Sequence, residues 1–191
     1  GGIIMKRFAA MIDLQGKQVI VIGGGKVAER KITSLLDTGA IITVVSPRLT
    51  NGLHHLVKNN FIHWKRKRYE KTDTTDAFLI IAATNITKVN EQVREHSYSY
   101  QLVIDASTPQ SGNVIMPAVF QKGSLQVAIS TNGASPSIAK KIRDALKDII
   151  DDDIILQLDD IAKTRKNIIT TNDDPSEKAQ RLQELTKQFK I

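Results

Sequence analysis

The sequence predicts an α/β fold built on a parallel sheet. Three observations carry this: strand-like and helix-like segments alternate over the first two-thirds of the chain, a glycine turn joins the first strand to the first helix, and the run FLIIAA is apolar throughout. Gln18 to Ile22 is a β-rich apolar run. Lys26 to Asp37 is expected to be helical, with Val27, Ala28, Ile32, Leu35 and Leu36 on one face and Gly39 as a stop signal. Ile41 to Val45 reads as a second strand, Leu53 to Lys58 as a weak helix, and Ile62 to Arg66 as a third, alternating strand. Phe78 to Ala83 lacks any polar alternation, as expected of a strand buried on both faces. Val89 and Val93 mark a helix, and Leu102 to Ile104 a fifth strand.

The rhythm changes after Asp105. The polar passage STPQSGN is followed by a strand-like VIM, at Val114 to Met116, and by a further strand, Leu125 to Ser130. Ser135 and Pro136 suit the cap and first position of an amphipathic helix carrying Ile138, Ile142, Ala145, Leu146 and Ile149. Asp174, Pro175 and Glu177 open another, with Ala179, Leu182, Leu185 and Phe189 as its stripe. The parts expected are therefore residues 1–113, 114–150 and a helical 151–191, with Met5 as the natural start.

Composition narrows the chemistry. There is no cysteine among the 191 residues, which excludes disulfides, thiolate catalysis and cysteine-bound metal. No apolar run reaches the roughly 20 residues of a membrane helix, and no signal-peptide core opens the chain, so the cytoplasm is the expected setting. The net charge of +7 is uneven: residues from Asp151 onward hold nine acids and seven bases, those before it eleven acids and twenty bases. A basic body attracts an anion, whether nucleic acid, nucleotide or polycarboxylate.

Gly23-x-Gly25-x-x-Ala28, after a strand and opening a helix, is the dinucleotide-binding fingerprint of a Rossmann-like sheet. The first glycine permits the turn, the second lets backbone approach a diphosphate, and the small Ala28 lets helix and sheet pack closely. Helix-terminal N–H groups then face the anion. The acid expected after the second strand is missing; the chain there reads Val45-Ser46-Pro47-Arg48. Ser46 suits a ribose hydroxyl and Arg48 a 2′-phosphate, so this chemistry admits either NAD or NADP. Ala82, Ala83 and Thr84 leave room at the end of the fourth strand. Asp105 ends the fifth, facing either the cleft or its own turn through Ser107 or Thr108. Lys65-Arg66-Lys67-Arg68 reads as a solvated edge in preference to a nucleic-acid contact. The four histidines show no metal-ligand spacing, and no metal site is expected.

The stretches IDLQGKQVIVIGGGKVAERKITSLLDTGA, AFLIIAATN, VIDAS…GNVIMPA and VAISTNGASPSIAKKIR together resemble the precorrin-2 dehydrogenases, which occur free-standing or as the N-terminal part of siroheme synthases. The resemblance spans about residues 11 to 146 and leaves out the methyltransferase part of the fused enzymes. It implies NAD-dependent oxidation of precorrin-2 to sirohydrochlorin, with iron insertion in some relatives. It also implies a homodimer that pairs or exchanges the segment from about Val114 to Ile150, and a catalytic aspartate at Asp105. Cofactor contacts are implied at Gly23, Gly25, Lys26, Val27, Ser46, Pro47, Arg48 and Thr84, and substrate contacts at Ser130 and Thr131. NAD is the cofactor the resemblance favours, and the basic body suits a substrate bearing eight carboxylates, for which Lys26, Arg48, Lys140, Lys141 and Arg143 are candidates by charge. The main alternative is an NAD(H)-sensing regulatory domain without catalysis; such domains usually keep the acid that this chain lacks. A redox-responsive DNA-binding protein would need a basic recognition helix, and none precedes the glycine turn.

Overall fold

A computed structural model of the chain describes residues 7–187, so the expected start at Met5 and the stripe residue Phe189 lie outside the described residues. The chain divides into two compact units, the first ending at Met116 and the second beginning at Pro117.

The first unit is a five-stranded parallel sheet: β1 (Gln18–Ile22), β2 (Ile41–Val45), β3 (His63–Lys65), β4 (Leu79–Ala82) and β5 (Leu102–Asp105). The spatial order is β3-β2-β1-β4-β5. Connections reverse direction between β1 and β4, which opens a crevice at the carboxyl ends of the strands. Ile22 pairs with both Val45 and Ala82, and Ala82 with Asp105, so the strand ends are level and their following loops share one edge.

Helices α1 (Lys26–Thr33), α2 (Asn51–Lys58) and α3 (Thr87–His96) cover the sheet. Val19, Val21, Val44 and Ile81 face one buried cluster with Ala28, Ile32 and Leu53 from α1 and α2. Ile20, Ile22, Val45 and Ile80 face the other, with Val93 from α3. Both faces are dry, which is why β1 and β4 are apolar without alternation.

Helix α1 is shorter than expected. It stops at Thr33, where the Ser34 hydroxyl turns back to donate to the Lys31 carbonyl at 2.7 Å. A 3₁₀ turn at Leu36–Thr38 follows, ended by Gly39 in the left-handed region at φ 70°. Of the residues on the expected apolar face, Ala28, Ile32 and Leu35 are buried, whereas Val27 is 42% exposed and lines the crevice. β3 is trimmed to three residues because only β2 pairs with it.

The second unit begins with β6 (Ala118–Lys122) and β7 (Leu125–Ile129), an antiparallel hairpin turned by Gly123 at φ 54°. The strand expected at Val114–Met116 is not formed. Val114 instead donates its N–H to the Val103 carbonyl at 3.1 Å, and Val114 and Met116 pack on the first unit's core. Pro117 brings no N–H, and pairing starts one residue later. Three helices follow: α4 (Pro136–Ile149), α5 (Asp152–Thr170) and α6 (Pro175–Lys187). Ser135 and Asp151 cap the first two by accepting from the N–H groups of Ile138 and Ile154. Asp174 accepts from the N–H and hydroxyl of Ser176. Of the apolar face expected on α4, Ile138, Ile142 and Ile149 are exposed; the buried residue of this helix is Ala139, outside that set.

Gln101 fixes the start of β5. Its buried Nε2 donates to the carbonyls of Thr74 and Ala77, at 2.7 and 2.8 Å, and its Oε1 accepts from the Tyr98 N–H at 2.9 Å. Gln101→Leu orphans these backbone groups, so we expect a loss of about 2–4 kcal/mol, read as a lowered urea midpoint; an unchanged midpoint refutes this role.

Candidate functional site

The crevice over β1, β2 and β4 is a cavity of about 1130 Å³. It is somewhat larger than the usual small-molecule site, about 300–1,000 Å³, and so has room for a ligand of dinucleotide size. The three glycines at its floor have separate duties. Gly23 adopts φ 118°, and a Cβ there would collide with the Ala83 carbonyl. A Cβ on Gly24 would land on the Arg48 carbonyl oxygen, with Leu49 and the Ser46 hydroxyl also too close. A Cβ on Gly25 would meet nothing within 4 Å. Gly23 and Gly24 are thus demanded by the protein's own packing, whereas the space beside Gly25 is left for something else. The fingerprint spacing pointed to Gly23 and Gly25; the requirement at Gly24 depends on the loop after β2 folding over it, a contact that spacing cannot reveal.

Gly25 is the N-cap of α1 and supplies no side-chain hydrogen bond to it. The first-turn N–H groups have no acceptors within the helix, and Lys26 and Val27 line the cavity beside them. Ala28 is fully buried beneath, which brings the helix end close to the sheet. Lys26 forms an ion pair with Glu29 at 3.3 Å. Free amides, a positive helix end and an unfilled space are the features that a diphosphate requires of such a turn. The residues present fit a nicotinamide dinucleotide.

Ser46, Pro47 and Arg48 line the same cavity. The Ser46 hydroxyl donates to the Arg48 carbonyl at 2.7 Å, so its oxygen is left to accept from a ribose hydroxyl. Trp64 donates its Nε1–H to the Ser46 carbonyl at 2.9 Å and steadies this loop from β3. The basic run after β3 is not a uniform solvated edge. Lys65 and Lys67 reach the buried Asp73 at 3.6 and 3.3 Å. Arg66 lies over the Trp64 ring, and Arg68 lines the cavity. Sequence reasoning missed Arg68 because four consecutive bases look alike until Asp73 and Trp64 are folded against three of them.

At the other end of the crevice, Thr84 and Ser107 line the cavity above a buried polar chain. Asn90, fully buried on α3, accepts from the Thr84 hydroxyl and N–H, at 2.8 and 3.1 Å, and donates to the Ser107 hydroxyl at 3.0 Å. Ser107 in turn donates to Asp105 Oδ1 at 2.6 Å. The N–H groups of Ser107 and Thr108 also donate to that oxygen, at 2.8 and 2.9 Å, and Arg94 pairs with Oδ2. Of the two orientations open to Asp105, its own turn is the one adopted. The carboxylate is buried, and Ser107 is its link to the cavity. Burial by itself would raise its pKa, but the hydrogen bonds from Ser107, Thr108 and Arg94 outweigh that and hold it below the usual carboxylate range. It is ionised at neutral pH.

The expected cofactor residues Gly23, Gly25, Lys26, Val27, Ser46, Pro47, Arg48 and Thr84 all line this one cavity. Ser130 and Thr131 belong to the second unit. There the Thr131 hydroxyl both donates to the Ser135 carbonyl and accepts from its N–H, each at 3.0 Å, which ties the turn before α4. Ser130 accepts from the Asn132 N–H at 3.2 Å. Among the described residues no cluster of three or more metal-ligating side chains occurs, and no helix is long and apolar enough to cross a membrane.

Residues 10–118 match the family model described as "Putative NAD(P)-binding", and residues 122–149 the one described as "Sirohaem biosynthesis protein central". A precorrin-2 dehydrogenase of Priestia megaterium is 39% identical over 145 residues, covering 76% of this chain and 72% of the relative. One from Bacillus subtilis (strain 168) is 34% identical over 155 residues, covering 81% and 96%. The solved structure of SirC, a precorrin-2 dehydrogenase, superposes with a TM-score of 0.83 at 35% identity and covers 94% of this chain and 89% of that one. A siroheme synthase of Actinobacillus pleuropneumoniae serotype 7 is 33% identical, but the match spans only 30% of its length. With an open crevice at the sheet's switch point and two precorrin-2 dehydrogenases matched over most of their length, the chain belongs to the precorrin-2 dehydrogenase family.

Proposed function

We propose that this protein oxidises precorrin-2 to sirohydrochlorin with NAD on the route to siroheme. The observation that carries the reading is the open space beside Gly25, where the helix end offers amides that the fold itself does not use. Family membership supports the substrate, and NAD is the cofactor favoured by that resemblance. When bound, the nicotinamide supplies a hydride acceptor. The chain's own residues hold the diphosphate at the Gly25–Val27 amides, take the ribose near Ser46, and leave space over Ala83 and Thr84 for the ring.

The substrate loses one hydrogen as hydride and one as a proton, so a base is required. Asp105 is the proposed acceptor. Because its carboxylate is buried, the proton reaches it through Ser107: the hydroxyl takes a proton from the substrate as it passes its own to Asp105 Oδ1. Arg94 holds the other carboxylate oxygen, keeping the acceptor ionised between turnovers. Ser130 and Thr131 are proposed to meet the substrate. Of the two, the Ser130 hydroxyl is the better donor, since that of Thr131 already donates to Ser135. A homodimer is proposed as well, supported by the exposed isoleucines of α4 and by Val119 on β6, 40% exposed. An apolar helix face of this kind is what a second copy would cover.

Four measurements test this reading. NADH should accumulate when NAD and precorrin-2 are mixed with the protein without oxygen; absence of NADH rejects the enzyme. Gly25→Val should abolish NAD binding while the melting temperature holds, because its side chain enters the ligand's space only; tight NAD binding by this variant removes the cradle. Asp105→Asn and Ser107→Ala should each lower kcat by about 10²-fold or more, with NAD affinity little changed; full turnover by Ser107→Ala would break the relay. Ile142→Asp should shift the sedimentation coefficient from dimer to monomer, and a wild-type monomer would reject the pairing.

A further inference from the structure

We propose that the cavity also accepts NADP, with Arg48 and Arg68 gripping its 2′-phosphate. The inference rests on reading the cavity as a nicotinamide-dinucleotide site. The sheet order fixes which half of a dinucleotide lies where. With the diphosphate at the glycine turn after β1, the adenosine half extends over the ends of β2 and β3, and the nicotinamide half over β4 and β5. Arg48 follows β2 and Arg68 follows β3, so both stand on the adenosine side.

Three features favour a phosphate there. The titratable side chains lining the cavity are Lys26, Arg48, Arg68 and Tyr69; no carboxylate among the described residues lines it. A site selective for NAD normally places an acid against the ribose diol, which repels a 2′-phosphate; here that repulsion is missing. Second, Lys26 is occupied by Glu29 and the lysines beside Arg68 by Asp73. Arg48 and Arg68 have no carboxylate within ion-pair distance among the described residues, so two arginines line the cavity with their charge uncompensated. Third, their backbones are anchored. The Arg48 carbonyl accepts from Ser46 and closes on Gly24, and the Thr50 N–H donates to the Gly24 carbonyl at 3.0 Å. Arg68 follows the Lys67 staple to Asp73 and Glu70. Planar guanidinium forks on fixed backbones suit a phosphate dianion. The Ser46 hydroxyl, already donating to the Arg48 carbonyl, can accept from a ribose hydroxyl but cannot donate to a phosphate, so the two arginines would have to supply the donors.

The test is calorimetric titration of the full chain with NAD and, separately, NADP at low salt, for the wild type, Arg48→Met and Arg68→Met. We expect NADP to bind within about tenfold of NAD or more tightly, and the NADP-to-NAD affinity ratio to fall about tenfold in Arg68→Met and in Arg48→Met. Binding of NAD with NADP much more than tenfold weaker overturns the inference while leaving the dinucleotide site intact. So does a ratio unmoved by both substitutions. If Arg68→Met raises the KM for precorrin-2 but leaves the nucleotide ratio alone, the guanidinium serves substrate carboxylates and the proposal falls. Failure of either nucleotide to bind the wild type removes the dinucleotide reading itself, and this inference with it.

Discussion

The turn from Gly23 to Gly25 is crowded on one side and empty on the other, and the site follows from that asymmetry. Below it, the carbonyls of Ala83 and Arg48 occupy the positions that side chains on Gly23 and Gly24 would need. Above it, Gly25 borders open space at a helix end. The backbone is therefore held by β4 on one flank and by the loop after β2 on the other. Its free amides are fixed in direction before any ligand arrives. A cradle formed by backbone alone loses little conformational entropy on binding, which suits an anion that must be both held and released.

The opposite end of the crevice uses another device. Thr84, Asn90, Ser107, Asp105 and Arg94 join the ends of β4 and β5 to α3 through a continuous set of hydrogen bonds. Asn90 and Asp105 are buried, and burying them is tolerable because their polar atoms are partnered. Such a network resists partial loss, since an orphaned member costs more than the bond it made. It keeps a charged carboxylate a single hydroxyl away from the cavity, in a low-dielectric setting where it stays ionised only because Ser107, Thr108 and Arg94 hold it.

Charge is sorted in the same way. The run Lys65 to Arg68 follows a short edge strand, yet each member has its own surroundings: carboxylates for the two lysines, an indole for Arg66 and the cavity for Arg68. Local neutralisation of the lysines leaves Arg48 and Arg68 as the cavity-lining cations without a carboxylate partner among the described residues.

The sequence by itself determined the parallel sheet, the glycine turn and the helix caps at Ser135 and Asp174, because each rests on a short-range rule of periodicity, chirality or local hydrogen bonding. Val19 to Ile22 is apolar on both faces whatever surrounds it, and Gly23 turns sharply by virtue of its missing Cβ. The tertiary structure decided the direction of Asp105, the need for glycine at position 24, the exposure of Val27 and of the α4 isoleucines, and the separate fate of Arg68. It also decided that Val114 and Met116 pack on the first unit's core while strand pairing begins at Ala118. These outcomes turn on which distant groups come within reach: Arg94 eleven residues before Asp105, the Arg48 carbonyl against Gly24, Asp73 beside the lysines. No pattern of neighbours along the chain encodes such distances.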